Sequence, residues 1–321
     1  MSMQRILVVG GNGFIGSAIC RIALAKGMEV TSVSSSGRPY TTPKGHSPAW
    51  ASKVTWLQGS AHNPSTFHDA LANADGVVHT LGTLVEDGGK YKQAIREGNI
   101  PQVLGAVCDN VLSGKNPLMK GGEGSYEHIN RDSALRVCEA FVSSGKGKTY
   151  ASSPRPFVYI SAEDVFRPVI PARYIETKRE AEKGIEALLS EQYRGIYIRP
   201  SLVYHSHYRP LTTPAAALID FSSTIHSKIP PGIPTPSQLL RSFNSILSAG
   251  NTNSELGSPL ESMANCMTIP PIHVDHVAEA VCAALTNQDV QGVVGVWRMR
   301  GLIGWRNADQ ATLGNSNHTY V

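Results

Sequence analysis

A tyrosine and a lysine four positions apart, Tyr174 and Lys178, have the types and spacing for acid–base chemistry. On a helix this spacing puts both side chains on one face. An ammonium close to a phenol favours the phenolate, which makes Tyr174 a candidate general acid or base at a carbinol or carbonyl oxygen. Ser161 directly follows an apolar run, thirteen positions before Tyr174, and is the candidate to orient the same substrate oxygen. The predicted catalytic residues are therefore Ser161, Tyr174 and Lys178.

A glycine triplet near the N-terminus predicts a dinucleotide site. It lies between an apolar, β-branched run, 5–9, and a segment with helical periodicity, 14–25. In that context the first glycine permits a tight turn, the second lets the backbone approach a pyrophosphate, and the third lets helix and strand pack closely. The N–H groups of the helix terminus then favour the phosphates. The predicted contacts on this turn are Gly10, Asn12, Gly13, Phe14, Ile15 and Gly16.

The end of the second predicted strand bears on which dinucleotide is bound. NAD binders usually carry an acidic residue about 20 residues after the glycine turn, where it holds the ribose hydroxyls. Here the strand end reads Ser34-Ser35-Ser36-Gly37-Arg38, with hydroxyls and a guanidinium but no acid to repel a 2′-phosphate. We therefore expect Ser34, Ser36 and Arg38 to contact NADP(H). NAD(H) is the alternative, and this segment would then be a solvated loop.

The elements that must position these residues alternate in the manner of a parallel α/β sheet. Predicted strands cover 5–9, 29–33, 54–57, 76–81, 157–160 and 195–203, and predicted helices cover 14–25, 128–142 and 174–189. This order predicts a Rossmann-type doubly wound parallel sheet with right-handed crossovers. The stretch 82–126, rich in Gly, Asn and Lys, is expected to be an insertion.

The pattern weakens after Tyr204. A proline-rich stretch interrupts it, 244–262 has the composition of a polar loop, and 272–285 indicates a short strand followed by an amphipathic helix. We predict three parts: a dinucleotide-binding domain over 1–204 that also recruits about 270–300, a small irregular substrate lobe over 205–270, and a flexible tail over 301–321.

Composition limits the partners. The 321 residues carry a formal charge of +4 without any Lys/Arg block, so no nucleic-acid partner is expected. Five cysteines without a C-x-x-C pair favour a reducing compartment. No apolar stretch approaches the roughly 18 residues of a spanning helix. Because a strand is predicted to begin at Arg5, no cleavable presequence is expected. His273 and His276 have metal-like spacing but no third ligand, so no metal site is predicted.

Taken together, these motifs resemble the short-chain dehydrogenase/reductase superfamily. The segment Ile272-His273-Val274-Asp275-His276-Val277-Ala278 is similar to one in the extended, epimerase/dehydratase-like branch. The resemblance implies an NAD(P)-dependent oxidoreductase, with Tyr174 as acid and Lys178 as an anchor for the nicotinamide ribose. Asn130 falls where relatives use a helix asparagine to organise water near the lysine; a core or capping role is the alternative. The resemblance also implies cofactor contacts at Leu81, Gly82, Pro200 and Val203.

Finer features resemble an atypical subgroup that includes fungal mitochondrial members of the coenzyme Q biosynthesis complex. The motifs are Ser32–Arg38, Asn116-Pro117-Leu118, Tyr159–Ala162 and Tyr174–Glu182. This implies a matrix-side, membrane-peripheral protein that acts on a quinone precursor; a cytoplasmic location is the alternative. A non-catalytic, NADP(H)-binding assembly subunit and, more weakly, a nucleotide-sugar epimerase remain alternatives. Two departures stand out: Ser35 replaces a common arginine, and Gly59-Ser60 replaces a common Gly-Asp.

Overall fold

Seven parallel strands form one sheet in a computed structural model, which describes residues 4–83, 125–145, 153–167, 170–205, 212–230, 234–247 and 256–305. The strands are β1 (Arg5–Val9), β2 (Glu29–Ser34), β3 (Thr55–Gln58), β4 (Gly76–His79), β5 (Arg155–Ile160), β6 (Tyr193–Ile198), β7 (Val203–Tyr204), β8 (Ile272–His273) and β9 (Gly292–Val294). Seven of these strands form the main sheet, in the order β3-β2-β1-β4-β5-β6-β9. The other two, β7 and β8, pair with each other in a separate two-stranded sheet. The predicted doubly wound α/β fold is confirmed.

Helices cover both faces of this sheet. They are α1 (Phe14–Ala25), α2 (His68–Asn73), α3 (Ser133–Ser144), α4 (Ala172–Leu188), α5 (Thr212–Lys228), α6 (Pro236–Leu247), α7 (Pro259–Thr268), α8 (Val274–Thr286) and α9 (Val296–Leu302). Short 3-10 turns lie at Ala49–Lys53 and Pro64–Phe67, and a π-helical turn, Glu127–Asp132, precedes α3.

The alternation of side chains along the strands produces two cores. In β1, Ile6 and Val8 face one core with α1 and α8, whereas Leu7 and Val9 face the other with α2, α3 and α4. Because successive side chains of a strand point to opposite faces, a parallel sheet covered on both sides reads as a continuous apolar run. That is why these strands were predictable from the sequence.

The strand order reverses at β1, which lies between β2 and β4. The chain winds from β1 towards one edge, through β2 to β3, and then returns to β4 on the other side of β1. Ligands of open α/β sheets bind at such a switch point, outside the carboxyl ends of the strands. The turn after Val9 and the segment after His79 therefore border the same crevice.

Several predicted boundaries are corrected. The sixth strand ends at Ile198 rather than at 203, and Val203 belongs to the separate pair of β7 with β8. The fourth strand ends at His79 rather than at 81. The segment predicted as a polar loop, 244–262, begins with the last turn of α6 and ends with the first turn of α7. Most of the predicted insertion and tail, 84–124 and 306–321, lies outside the described residues.

Three helices make up most of the described substrate-lobe segment, with α7 packed against both α5 and α6. Helix α7 begins at a capping serine, since the hydroxyl of Ser258 accepts a hydrogen bond from the backbone N–H of Glu261. The lobe is therefore more regular than the prediction of an irregular segment allowed; its boundaries remain a prediction. Within the described ranges no helix is long and apolar enough to cross a membrane.

Candidate active site

The glycine turn has the geometry that the sequence predicted. Gly10 has a φ of +90°, which is costly for any other residue, and a Cβ there would lie 2.6 Å from the Thr80 hydroxyl. A Cβ on Gly16 would overlap the carbonyl of Gly10. Helix α1 begins after Gly13, which offers no capping side chain, so the first-turn N–H groups can bind an anion. The cradle fits the pyrophosphate of a dinucleotide.

The end of β2 is tied to the glycine turn by hydroxyl groups. Ser34 Oγ accepts a hydrogen bond from the Gly37 N–H at 3.2 Å, and Ser36 Oγ accepts one from the Arg38 N–H at 3.3 Å. Asn12 Nδ2 donates to Ser36 Oγ at 3.4 Å, which joins the two segments. The Arg38 guanidinium is exposed and has no hydrogen bond or ion pair with any residue that the structure describes. It is available for an anionic group.

Lys178 is buried at the junction of β4 and β5. Its ammonium donates to the carbonyl of Ile160 at 2.9 Å and to that of Leu81 at 3.4 Å, and it lies 4.7 Å from the ring centre of Tyr159. Loss of hydration on burial lowers the pKa of Lys178 to about 7. A Cβ on Gly82 would lie 2.9 Å from Nζ, so a side chain at residue 82 would displace the lysine ammonium.

Tyr174 lies one turn before Lys178, in the first turn of α4. Its half-buried ring makes an edge contact with Tyr126 at 6.0 Å between ring centres. It also packs against a small apolar cluster that contains Ala162 and Ile175. The predicted Tyr–Lys pair is therefore on one helix, with the lysine directed between the strand ends and the tyrosine beside Ala162.

Ser161 follows β5 as predicted, but its hydroxyl is engaged elsewhere. It donates to Glu182 on α4 and accepts a hydrogen bond from Arg179 at 3.1 Å, and the side chain is buried. A serine hydroxyl has one proton. While that proton is held by Glu182, Ser161 cannot also donate a hydrogen bond to a substrate oxygen.

Sequence reasoning missed the ion-pair cluster that holds Ser161. Glu182 accepts hydrogen bonds from Arg179 at 2.8 Å and from the guanidinium of Arg199, whose Nε lies 3.0 Å away. Burial opposes ionisation of Glu182, but the Arg199 hydrogen bond and the Arg179 charge outweigh it and hold the pKa of this carboxyl below its usual range. The available signal was the i, i+3 pair Arg179–Glu182 directly after Lys178.

Asn130 joins three elements around the lysine. It is fully buried in the π-helical turn, and its Oδ1 accepts the Thr83 N–H at 2.9 Å. Its Nδ2 donates to Thr177 Oγ1 at 3.4 Å, and its carbonyl accepts the Tyr159 hydroxyl at 2.5 Å. Single π-turns inside helices are frequent at functional sites. Here the turn links the segment after β4 to α4.

Pro200 and Val203, which the resemblance placed at the cofactor, follow β6, and the two histidines of 272–278 lie at the start of α8. Pro200 is buried, and its carbonyl accepts the Glu163 N–H at 2.9 Å; Val203 is in β7. The histidine pair predicted not to bind metal has a local explanation, because His273 Nδ1 accepts the Asp275 N–H at 3.2 Å and so caps α8. His276 follows in the first turn of that helix.

A dinucleotide turn at the switch point of a doubly wound sheet, with a Tyr–Lys helix beside the next strand end, defines a protein of the short-chain dehydrogenase/reductase type. Lys178 connects α4 to the crevice, because its ammonium donates hydrogen bonds to the carbonyls of Leu81, after β4, and Ile160, at the end of β5.

Comparison with known proteins agrees with that class. Residues 6–100 match the NAD dependent epimerase/dehydratase family. MIOREX complex component 2 of Saccharomyces cerevisiae is 30% identical over 297 residues, which cover 91% of this chain and 97% of that protein. An uncharacterised chloroplastic protein of Arabidopsis thaliana is 25% identical, covering 92% of this chain and 76% of its own length. The chain belongs to the NAD-dependent epimerase/dehydratase family.

Among solved structures, an oxidoreductase of the short-chain dehydrogenase/reductase family from Burkholderia thailandensis is similar in fold. The TM-score is 0.52 at 13% identity, with 92% of each chain covered. At that identity the likeness concerns the fold alone.

Proposed function

We propose that this protein is an NADP(H)-dependent oxidoreductase in which Tyr174 exchanges a proton with the substrate oxygen. The carrying observation is Lys178, desolvated between the ends of β4 and β5 and one helical turn from Tyr174. The nicotinamide supplies or accepts hydride when bound. The chain supplies the binding turn, the proton at Tyr174 Oη, and a lysine that holds the ribose and favours the phenolate.

Arg38 supports NADP(H) over NAD(H). It projects at the end of β2 without a partner in the described part of the chain, next to hydroxyls that Asn12 ties to the phosphate turn. A 2′-phosphate would give it a charge-assisted hydrogen bond, worth about 1.5–3 kcal/mol. Arg38→Gln should therefore weaken NADPH binding about tenfold or more and leave NADH binding nearly unchanged. Arg136→Gln, on α3, is the matched control. Equal losses for both cofactors would contradict this assignment.

The contacts of Ser161 modify the expected mechanism. Because its proton is held by Glu182, Tyr174 is the donor to the substrate oxygen and Ser161 is a positioning residue. Tyr174→Phe should abolish turnover and retain NADPH binding, whereas Ser161→Ala should lower turnover much less. If Ser161→Ala were as inactive as Tyr174→Phe while remaining folded, this division of roles would be wrong.

For the substrate we propose a carbonyl or quinone-like ring in ubiquinone biosynthesis, in mitochondria. The support is the subgroup resemblance of the sequence motifs. Anaerobic mixing of the protein with NADPH and a synthetic benzoquinone, followed at the NADPH absorbance, tests it. Oxidation that depends on protein and on Tyr174 supports the proposal, and a rate equal to that of buffer rejects it.

A second candidate is an NADP(H)-binding assembly subunit without turnover. The observation that favours it is the engagement of Ser161 with Glu182, and the yeast relative is named as a complex component. This alternative predicts NADPH-dependent stabilisation with no turnover of any carbonyl or quinone. A nucleotide-sugar epimerase is the weaker third candidate, and it would require a thermal shift with nucleotide sugars.

A further inference from the structure

Helix α5 directs its large apolar side chains away from the protein. Leu218, Phe221 and Ile225 recur at i, i+3 and i+7, which places them on one face of the helix, and they are 72%, 66% and 44% exposed. The fully buried side chains of the described part of this helix are small, Ala216 and Ser223. A surface helix of a globular protein normally has the reverse arrangement, with its apolar face towards the core. An exposed apolar face of this kind indicates a partner.

Helix α6 repeats the arrangement. Its start is fixed by a capping box, because Thr235 Oγ1 accepts the Gln238 N–H at 3.3 Å and Gln238 Oε1 accepts the Thr235 N–H at 2.9 Å. Leu239 and Phe243 lie one turn apart and are 47% and 60% exposed, whereas Ser237 is buried. Both helices pack against α7 and border the same groove. The lobe therefore presents two adjacent apolar rows, one on each helix.

Basic side chains accompany these rows. Lys228 ends α5 one turn after the last apolar residue of its row, and Arg241 lies within the row of α6; both are exposed. Arg241 donates to the neutral side chain of Asn265 at 3.1 Å. Asp220 is the only acidic residue in the sequence of the two helices, and its carboxylate lies 3.8 Å from the guanidinium of Arg300. The apolar rows are thus surrounded by positive charge, which complements an anionic surface.

A second copy of this chain would complement these charges less well. In a twofold contact the same face meets itself, so its cations would meet cations or be buried without a counter-charge. Phosphate groups of a lipid surface would instead neutralise both Lys228 and Arg241 while the apolar rows enter the boundary with the acyl chains.

We infer that α5 and α6 lie on an anionic phospholipid surface, with their apolar rows inserted between the headgroups. Lys228 and Arg241 pair with the lipid phosphates. The inference rests on the exposed side chains of the lobe, and does not depend on the chemistry proposed for Tyr174.

Flotation of the full chain with vesicles of phosphatidylcholine, with and without phosphatidylglycerol, tests the inference in the absence of any cofactor. We expect binding that requires phosphatidylglycerol. Phe221→Ser and Phe243→Ser should each weaken it about tenfold, because each removes a phenyl ring from the lipid. Lys228→Gln should weaken it about fivefold. Leu188→Ser, at an exposed apolar position of α4, is the matched control and should bind like the unaltered protein.

Insertion has a readout that charge attraction alone would not move. The fluorescence of Phe221→Trp should be quenched by brominated phospholipids, beyond the quenching of the unaltered protein. The inference is overturned if phosphatidylglycerol vesicles are not bound, if phosphatidylcholine alone is bound equally well, or if both Phe→Ser variants bind as tightly as Leu188→Ser. A lipid-free dimer in analytical ultracentrifugation that Phe221→Ser dissociates would assign the face to a second copy, and would also overturn it.

Discussion

The pH dependence of stability around Lys178 provides a sharp test of the site geometry. In the folded protein the pKa of this ammonium is about 7, against an ordinary value of 10.5, because burial removes its hydration. Between those two values the unfolded chain holds one more proton than the folded chain. Stability must therefore rise with pH over that window, by about 1.4 kcal/mol per unit for one proton.

The measurement compares the unaltered protein with Lys178→Met by urea unfolding at about pH 7.5, 8.5 and 9.5. Subtracting the two free energies of unfolding cancels all groups that titrate in both proteins. The difference should shift in favour of the lysine by about 2.5 kcal/mol between the two extreme pH values. Lys183→Met, exposed on the same helix, is the matched control for replacing a lysine with methionine in α4.

A flat or falling difference for Lys178→Met would show that the ammonium is hydrated in the folded state. In that case the close approach of Nζ to the carbonyls of Ile160 and Leu81 would be wrong, and with it the support for an activated Tyr174. An absolute change in stability would not decide the matter, because the variant also loses both of those hydrogen bonds.

Three further predictions concern Glu182, Arg194 and Gly82. Glu182→Gln should lower the free energy of unfolding by about 3 kcal/mol in urea, since the half-buried Arg179 and Arg199 lose the buried carboxylate that pairs with them. Because the pKa of Glu182 is depressed, its contribution is present above the ordinary glutamate range and should fade as acid is added; a loss confined to alkaline pH would contradict it. Arg194→Met should cost about 3 kcal/mol, because Arg194 donates to three carbonyls around the end of α8; an unchanged melting temperature would refute that role. Gly82→Ala should weaken NADPH binding about tenfold or more in calorimetry, since its Cβ would press on Lys178 Nζ, whereas Gly301→Ala, with open space at Cβ, should not.

The sheet and its glycine turn could be predicted because their signals are local. Apolar runs such as 5–9 occupy strands buried on both faces, and Gly10 has a conformation that favours glycine. The lobe helices were not predicted, because helices gain most of their stability from tertiary packing rather than from local propensity. The start of α7 did leave a signal, since Ser258 and Glu261 have the spacing of a helix cap.

The position of Ser161 after β5 followed from the sequence, whereas the direction of its hydroxyl did not. That direction depends on Arg179 and Glu182, which both lie on α4, and on Arg199, which follows β6. In the sequence, a strand-end serine near a Tyr–Lys helix is compatible with a hydroxyl directed to a substrate and with one directed to Glu182. Tyr174 and Lys178 lie on one helix, as their spacing predicted, and the catalytic roles of Ser161, Tyr174 and Lys178 stay predictions.

The proposed preference for NADP(H) over NAD(H) depends on the glycine turn and the end of β2. Calorimetric titration of the purified protein with NADPH and with NADH measures that preference. We expect NADPH to bind more tightly than NADH, and the difference to be lost in Arg38→Gln. Tighter binding of NADH, or binding of neither cofactor, would contradict it.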